Sequence, residues 1–277
     1  MHTDPLAPLL HHFNADAKLF YAGNVCQAVS HDMASGLGYL HLLRSGRMRL
    51  HDASGFAQVL EEPTLFFYAR PMAHWFDPDI DVGADLACAS VSFDHQSFNP
   101  ILTALPVRTV LPLAALPASG SLFDLLFAEA FSDRPGRQEV LNRLFEVVLI
   151  ALLRAHLESG MASVGFLRAL SHPQVGRAMQ AVHARPDKPW TLCHLAAEAS
   201  MSRTKFAATF KSVVGSTPGE YVLGWRITVA KGLLRQGVAL KQVTERVGYD
   251  SQAGFLKAFK GLVGVSPTEW KRTTSTS

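Results

Sequence analysis

Hydrophobic and polar positions follow two different periods along the 277 residues. From about Lys18 to Leu113 the period is two. Arg47-Met48-Arg49-Leu50-His51 alternates strictly, which predicts a strand with one wet face. Apolar runs over 39–43, 56–60, 64–68, 73–76 and 86–93 predict further strands. Ser45-Gly46, Asp52-Ala53-Ser54-Gly55, Glu61-Glu62-Pro63 and Arg70-Pro71 supply the turns between them. Short strands at this spacing predict a small antiparallel barrel. Ahead of it, residues 1–20 carry Leu9, Leu10 and Phe13 and read as a short arm or helix.

Pro112, Pro117, Ser119 and Gly120 mark a change of period. Apolar spacings of three and four predict helices over 122–131, 138–158 and 174–185. In the second, Val140, Leu141, Leu144, Val147, Val148, Ile150, Leu152 and Leu153 cover more than half the circumference. One narrow stripe would suffice to pack on the barrel, so the excess points to a second copy of the chain; the plainer reading is packing within its own domain. Polar residues interrupt this run at Asn142, Arg143, Glu146 and Arg154, and no apolar stretch reaches the ~18 residues of a membrane span.

The last third repeats itself. Val243 and Val247 lie four apart, Gly248 breaks the helix, Ser251 is a good N-cap, and Phe255 and Phe259 share the inner face of the next helix. Its outer face shows Gln252, Lys257 and Lys260. Phe206, Phe210 and Lys211 precede Phe255, Phe259 and Lys260 by 49 positions, as Gly215 and Pro218 precede Gly264 and Pro267. Leu195, Ala199 and the N-cap Ser202 complete the first copy, whose turn is one residue shorter. A helical pattern over 220–236 joins the copies. Two helix-turn-helix units on one connecting helix suit two successive major-groove segments about 34 Å apart.

These residues carry a resemblance. The stretch 190–271 resembles the DNA-binding domain of AraC-type transcription regulators, through Leu195-Ala196, Met201-Ser202-Arg203, Phe206, Phe210-Lys211, Thr217-Pro218, Trp225-Arg226, Val247-Gly248-Tyr249, Phe255, Phe259-Lys260 and Ser266-Pro267. The N-terminal strand order, with Glu61-Glu62-Pro63 and a later Pro71-Met72-Ala73-His74, is similar to the cupin-like sensor domain of one subgroup. The resemblance implies an α+β chain: a cupin-like sensor barrel with its arm (1–115), a helical linker for dimerisation (116–170) and an all-α tandem helix-turn-helix domain (171–277). It also implies double-stranded operator DNA, RNA polymerase, a homodimer and a small-molecule effector as partners, with activation the commoner mode. By the same resemblance bases are met from Thr204, Ala207 and Ala208 in the first unit and from Gln252, Ala253, Leu256 and Lys257 in the second. The alanines and Leu256 depart from the polar residues usual there. Ser202, Arg203, Thr204, Lys205, Lys211, Ser251, Gln252, Lys257 and Lys260 are therefore the candidate DNA-binding residues. Gln252 has the groups to pair bidentately with adenine, and Lys257 to reach guanine or phosphate.

Charge agrees. Residues 171–277 hold 15 Lys and Arg against 6 Asp and Glu, net +9, while residues 1–170 hold 11 against 17, net −6. The basic end faces a polyanion. The opening Met1-His2-Thr3-Asp4-Pro5 has no charged-then-apolar run, so the expected compartment is the cytoplasm, with no membrane partner.

Two readings of the sensed signal stay open. Cys26 and Cys88 resemble the cysteine pair of the reactive-chlorine-sensing regulators, whose Leu-His-Pro segment is similar to Leu170-Ser171-His172-Pro173; the resemblance implies a disulfide tying arm to barrel, against the alternative of two small buried hydrophobes. Cys193 reads as a helix-packing residue. The other reading is a ligand or metal in the barrel, among His31, His41, His51, His74 and His95. Metal-binding cupins use a His-x-His pair and a later Glu, and no His-x-His occurs. No metal and no cofactor is expected, although His41 and His74 could approach in space. No acid/base pair or nucleophile set is visible, so catalysis is not expected; the contrasting class is a cupin-like enzyme or ligand-binding protein tethered to nucleic acid by its helices.

Overall fold

The computed structural model describes residues 6, 10, 15–31, 36–93, 102, 105–116, 120–159 and 166–274. The expectations placed on Leu9, Phe13, His95, Pro117 and Ser119 lie outside these residues. The chain divides into two compact units: one of Ala15–Asp94 with Leu105–Met161, the other of Ala162–Ser277 with Met1–Asn14 and His95–Ala104.

The first unit is built on two antiparallel sheets. Strands β1 (Ala15–Val25), β3 (Gly38–Gly46), β6 (Thr64–Tyr68), β8 (Ala84–Phe93) and β9 (Arg108–Pro112) form one sheet in the order β1-β8-β3-β6-β9. Strands β2 (Val29–His31), β4 (Met48–Asp52), β5 (Ala57–Leu60) and β7 (His74–Pro78) form the other, in the order β2-β7-β4-β5. Period-two patterning decides what goes between them. Met48 and Leu50 of β4, Leu60 and Phe76 from one sheet meet Leu43, Phe66, Tyr68, Leu86 and Cys88 from the other in a single core. Burying each large apolar side chain there contributes roughly 1.5–3 kcal/mol. Asp52 continues the inward row and is 2% exposed. It is held by Ser54, Tyr68 and Arg108, whose guanidinium also stacks on Phe56 at 3.4 Å. Desolvation pushes the Asp52 carboxyl up, but the hydrogen bonds from Ser54 and Arg108 outweigh it and hold the group below the ordinary value.

Helices α1 (Gly120–Ala130) and α2 (Arg137–Ser159) belong to this unit. Leu141, Phe145, Val148, Leu149, Leu152 and Leu153 form the buried face of α2. β1 is an edge strand, and α2 covers part of that edge. Asn142 Oδ1 accepts from the Leu19 backbone N–H at 2.9 Å, and Gln138 Nε2 donates to the Leu19 carbonyl at 2.7 Å. The pairing of β1 with β8 shifts register between Leu19 and Tyr21 at this point. Val140 and Val147 remain 41% and 45% exposed on another face.

The second unit is helical: α3 (Phe166–Ser171), α4 (Pro173–Ala184), α5 (Leu192–Glu198), α6 (Arg203–Val214), α7 (Pro218–Arg235), α8 (Leu240–Arg246), α9 (Gln252–Val263) and α10 (Pro267–Thr274). Its core gathers Phe206, Phe210, Trp225, Phe255 and Phe259, each 2% exposed or less. Thr217 and Glu220 form a reciprocal capping box at the start of α7, ahead of a proline at the first helical position. His172 caps α4, its Nδ1 accepting from the backbone of Gln174 and Val175. Among the described residues no helix is long and apolar enough to cross a membrane.

Candidate nucleic-acid interface

The two helix-turn-helix units are α5–α6 and α8–α9. The first helices start 48 residues apart and the second helices 49 apart, so the second turn carries one extra residue, as the sequence spacing predicts. Ser202 accepts from the Lys205 N–H and Ser251 from the Gly254 N–H, so both serines are the expected N-caps. Both second helices end at a left-handed glycine, Gly215 at φ 86° and Gly264 at φ 87°, whose N–H returns to the carbonyls of Lys211 and Lys260.

The turns reach their left-handed residue differently. In the first it is Ser200 at φ 52°, the non-glycine exception among the described residues. In the second it is Gly248 at φ 73°, where a Cβ would stand 2.4 Å from the Asp187 carbonyl oxygen and 2.7 Å from Arg226. Arg226, midway along α7, explains that crowding. Its guanidinium donates to the carbonyls of Pro186 and Lys188 and lies 5.5 Å from the Tyr249 ring. One half-buried arginine thus ties the loop before α5 to the turn between α8 and α9.

Amphipathic packing then fixes what faces solvent. With Phe206 and Phe210 inward on α6, Ser202, Arg203, Thr204, Lys205, Ala208 and Lys211 are exposed. With Phe255 and Phe259 inward on α9, Ser251, Gln252, Ala253, Leu256, Lys257 and Lys260 are exposed. Among the described residues none of the cations Arg203, Lys205, Lys211, Lys257 and Lys260 is paired with a carboxylate within 4 Å. Each helix therefore presents a first turn of polar groups and uncompensated cations, the combination that meets base edges and phosphates. Ala207 and Ala208 line an apolar groove with Leu192, Leu195, Pro218 and Val222, with Lys211 in its wall.

The cysteines do not come together. Cys26 directly follows β1, a strand within the sheet rather than an arm outside it. Cys88 lies opposite Tyr21, and Ala84 opposite Val25. The end of β1 is therefore about four residues along β8 from Cys88, ~13 Å at ~3.3 Å per residue, whereas a disulfide needs Cα atoms within ~7 Å. Cys26 is exposed, with its Sγ 3.0 Å from Asn24 Oδ1, while Cys88 is buried in the core and burial pushes its thiol far up. Cys193, read as a packing residue, is exposed on α5, because Leu195 and Ala196 take the inner face.

Histidines, by contrast, do meet. His31 pairs with His74 across β2 and β7, and His41 reaches the same point from β3. One ring nitrogen of each lies within 4.8 Å of the others. His41 Nε2 and His74 Nε2 are 2.9 Å apart. The approach of His41 and His74 was legible as a possibility; His31 joins them only through the short β2–β7 pairing, which no His-x-His pattern announces.

Comparison with known proteins follows the same division. A cupin family model matches residues 4–158, and a helix-turn-helix domain model matches residues 195–273. The chain is 36% identical over 184 residues to the HTH-type transcriptional regulator AlkR of Acinetobacter baylyi, covering 65% of this chain and 60% of that one. It is 25% identical over 240 residues to the RCS-specific HTH-type transcriptional activator RclR of Escherichia coli, covering 83% of each. The solved structure of ToxT from Vibrio cholerae aligns with 94% of this chain and 97% of its own at 12% identity and a TM-score of 0.40. Across the first four curated relatives the matches span 45–64% of their length. With the cupin model covering more than half its residues, the chain belongs to the cupin family, and a helix-turn-helix domain follows the cupin domain.

Proposed function

We propose that this chain is a transcription regulator that binds double-stranded DNA sequence-specifically and answers a signal received by its cupin unit. The observation that carries this reading is the pair of serine-capped helices, α6 and α9, each presenting a polar first turn and uncompensated cations on the scaffold of α7. Lys211 and Lys260, at matching positions, hold phosphates; Gln252 and Lys257 read bases in the second unit. The first unit, with Ala207 and Ala208 at its centre, reads fewer. In functional terms residues 1–115 sense, 116–170 dimerise and 171–277 bind DNA. The exposed valines 140 and 147 on α2 support a homodimer, because α2 already buries a separate apolar face in its own unit. The protein works in the cytoplasm as an activator that contacts RNA polymerase, and it is not an enzyme. A small-molecule effector in the cupin unit fits this reading.

Genome-wide capture of DNA by the full chain, with and without oxidant, tests it. The expected result is a small set of sites sharing a motif with two elements about one helical turn apart. Uniform recovery of DNA without a shared motif would overturn sequence-specific regulation.

A further inference from the structure

The interior of the cupin unit holds a group of three histidines, packed against the core aromatics Phe66 and Tyr68, that DNA binding does not use. His41 and His74 are 0% exposed, and His31 is half-buried at the end of the short edge strand β2. The rings crowd one point: the centroid of His31 is 4.9 Å from that of His74 and 5.0 Å from that of His41. His74 Nδ1 is 2.8 Å from the Met72 carbonyl, which can only accept, so Nδ1 carries the proton and the Nε2 lone pair points into the cluster. Burial lowers His74 to about 4, and burial with its histidine neighbours lowers His41 well below the ordinary value. His41 Nδ1 is buried with no hydrogen-bond partner. Placing three imidazoles together costs desolvation; His41 and His74 share a hydrogen bond, whereas a cation would use all three rings.

We propose that His31, His41 and His74 form a binding site for a divalent first-row transition metal of the zinc type, held by three imidazole nitrogens with further coordination positions open. Tetrahedral coordination at Zn–N distances of about 2.0–2.1 Å sets ligand nitrogens roughly 3.3 Å apart. The present separations, from 2.9 Å up to within 4.8 Å, bracket that value. The Met72 carbonyl already orients His74 as such ligands are oriented. Loading requires His41 to present a lone pair in place of the proton it shares with His74, a tautomer change with no net proton release. The donor set selects the metal. Among the described residues no carboxylate belongs to the cluster; Asp52, opposite His74 across β4 and β7, is taken by Arg108 and Ser54. Cys88, opposite His41, is a neutral thiol. Imidazoles alone suit zinc, copper or nickel and disfavour calcium and magnesium. Half-buried His31, beside the 46%-exposed Phe20, marks the more accessible side of the cluster. The site does without the His-x-His pair, and metal bound there would depart from the expectation from sequence that no metal binds.

The test uses the purified full chain, stripped with a chelator and titrated with Co2+, then with Zn2+ in competition. One Co2+ per chain should bind, with visible d–d bands that Zn2+ abolishes. His31→Ala, at the rim of the sheet, should weaken binding at least about tenfold, and His41→Gln and His74→Gln likewise. His194→Ala, on exposed α5, should leave binding unchanged. If His41→Gln fails to fold, His31→Ala decides. Absence of saturable binding, wild-type affinity in His31→Ala, or loss of binding in His194→Ala would each overturn the proposal. The titration reads metal alone, so its outcome is independent of the DNA-binding reading.

Discussion

Leu19 donates its backbone N–H to the side chain of Asn142, 123 residues later, and receives Gln138 on its carbonyl. Both groups belong to the outer edge of β1, where α2 covers it and its pairing with β8 slips. An edge left open there offers a template for another strand. Asn142→Leu removes the acceptor and leaves the Leu19 N–H partly buried. It should cost about 1–3 kcal/mol of stability in urea unfolding, and light scattering should show faster aggregation. An unchanged midpoint would mean that water replaces the side chain without loss.

The two left-handed turn residues should respond in opposite ways to substitution. Gly248→Ala adds a Cβ against the Asp187 carbonyl and Arg226 at a positive φ. It should cost at least ~2 kcal/mol and lower the melting temperature of the helical unit. Ser200→Gly relieves a strained φ while losing one exposed hydrogen bond from Arg177. It should change stability by less than ~1 kcal/mol.

Arg108 is the charged partner of buried Asp52. Arg108→Met should destabilise the cupin unit by about 2 kcal/mol, because it strands a carboxylate between the sheets. The sign of its pH dependence follows. The folded-state carboxyl is held below its ordinary value of 3.8, so the contribution is present above that value and disappears as pH falls through the folded one. The gap between wild type and variant should be widest near neutrality and close in acid, as melts across a pH series would show.

On DNA, Gln252→Ala should weaken binding to the true operator by about 1–3 kcal/mol and barely change binding to random sequence. Lys260→Ala should weaken both alike and reduce the slope of log affinity against log salt by about one. Equal losses on both DNAs for Gln252→Ala would remove its base-reading role.

The dimer reading rests on the outer face of α2. Val147→Glu places a charge at a 45%-exposed position. It should leave the fold intact and shift sedimentation toward the monomer. An unchanged sedimentation profile would assign dimerisation to another surface.

How far these features can be read from the chain depends on their range. Ser202, Ser251, Gly215 and Gly264 act within one helical turn, so their spacing discloses caps, helix ends and even the extra residue of the second turn. The inward row of β4 follows from alternation, whereas β6 is an apolar run buried throughout. What depends on pairing between distant strands stays hidden. Cys26 and Cys88 look like a pair until the β1–β8 register sets them about five residues out of step. Asn142 reads as an interruption of an apolar run, since its partner is a backbone group 123 residues away. His31 looks like one histidine among several until a three-residue strand sets it beside His74.

Helix α2 carries three obligations at once: one face closes a core, two amides hold a strand edge, and a further face is apolar in the open. Such a helix has few positions left on which mutations can accumulate without consequence. Among relatives that keep this cupin unit, it should be the slowest-drifting helix, and designed libraries should avoid it first.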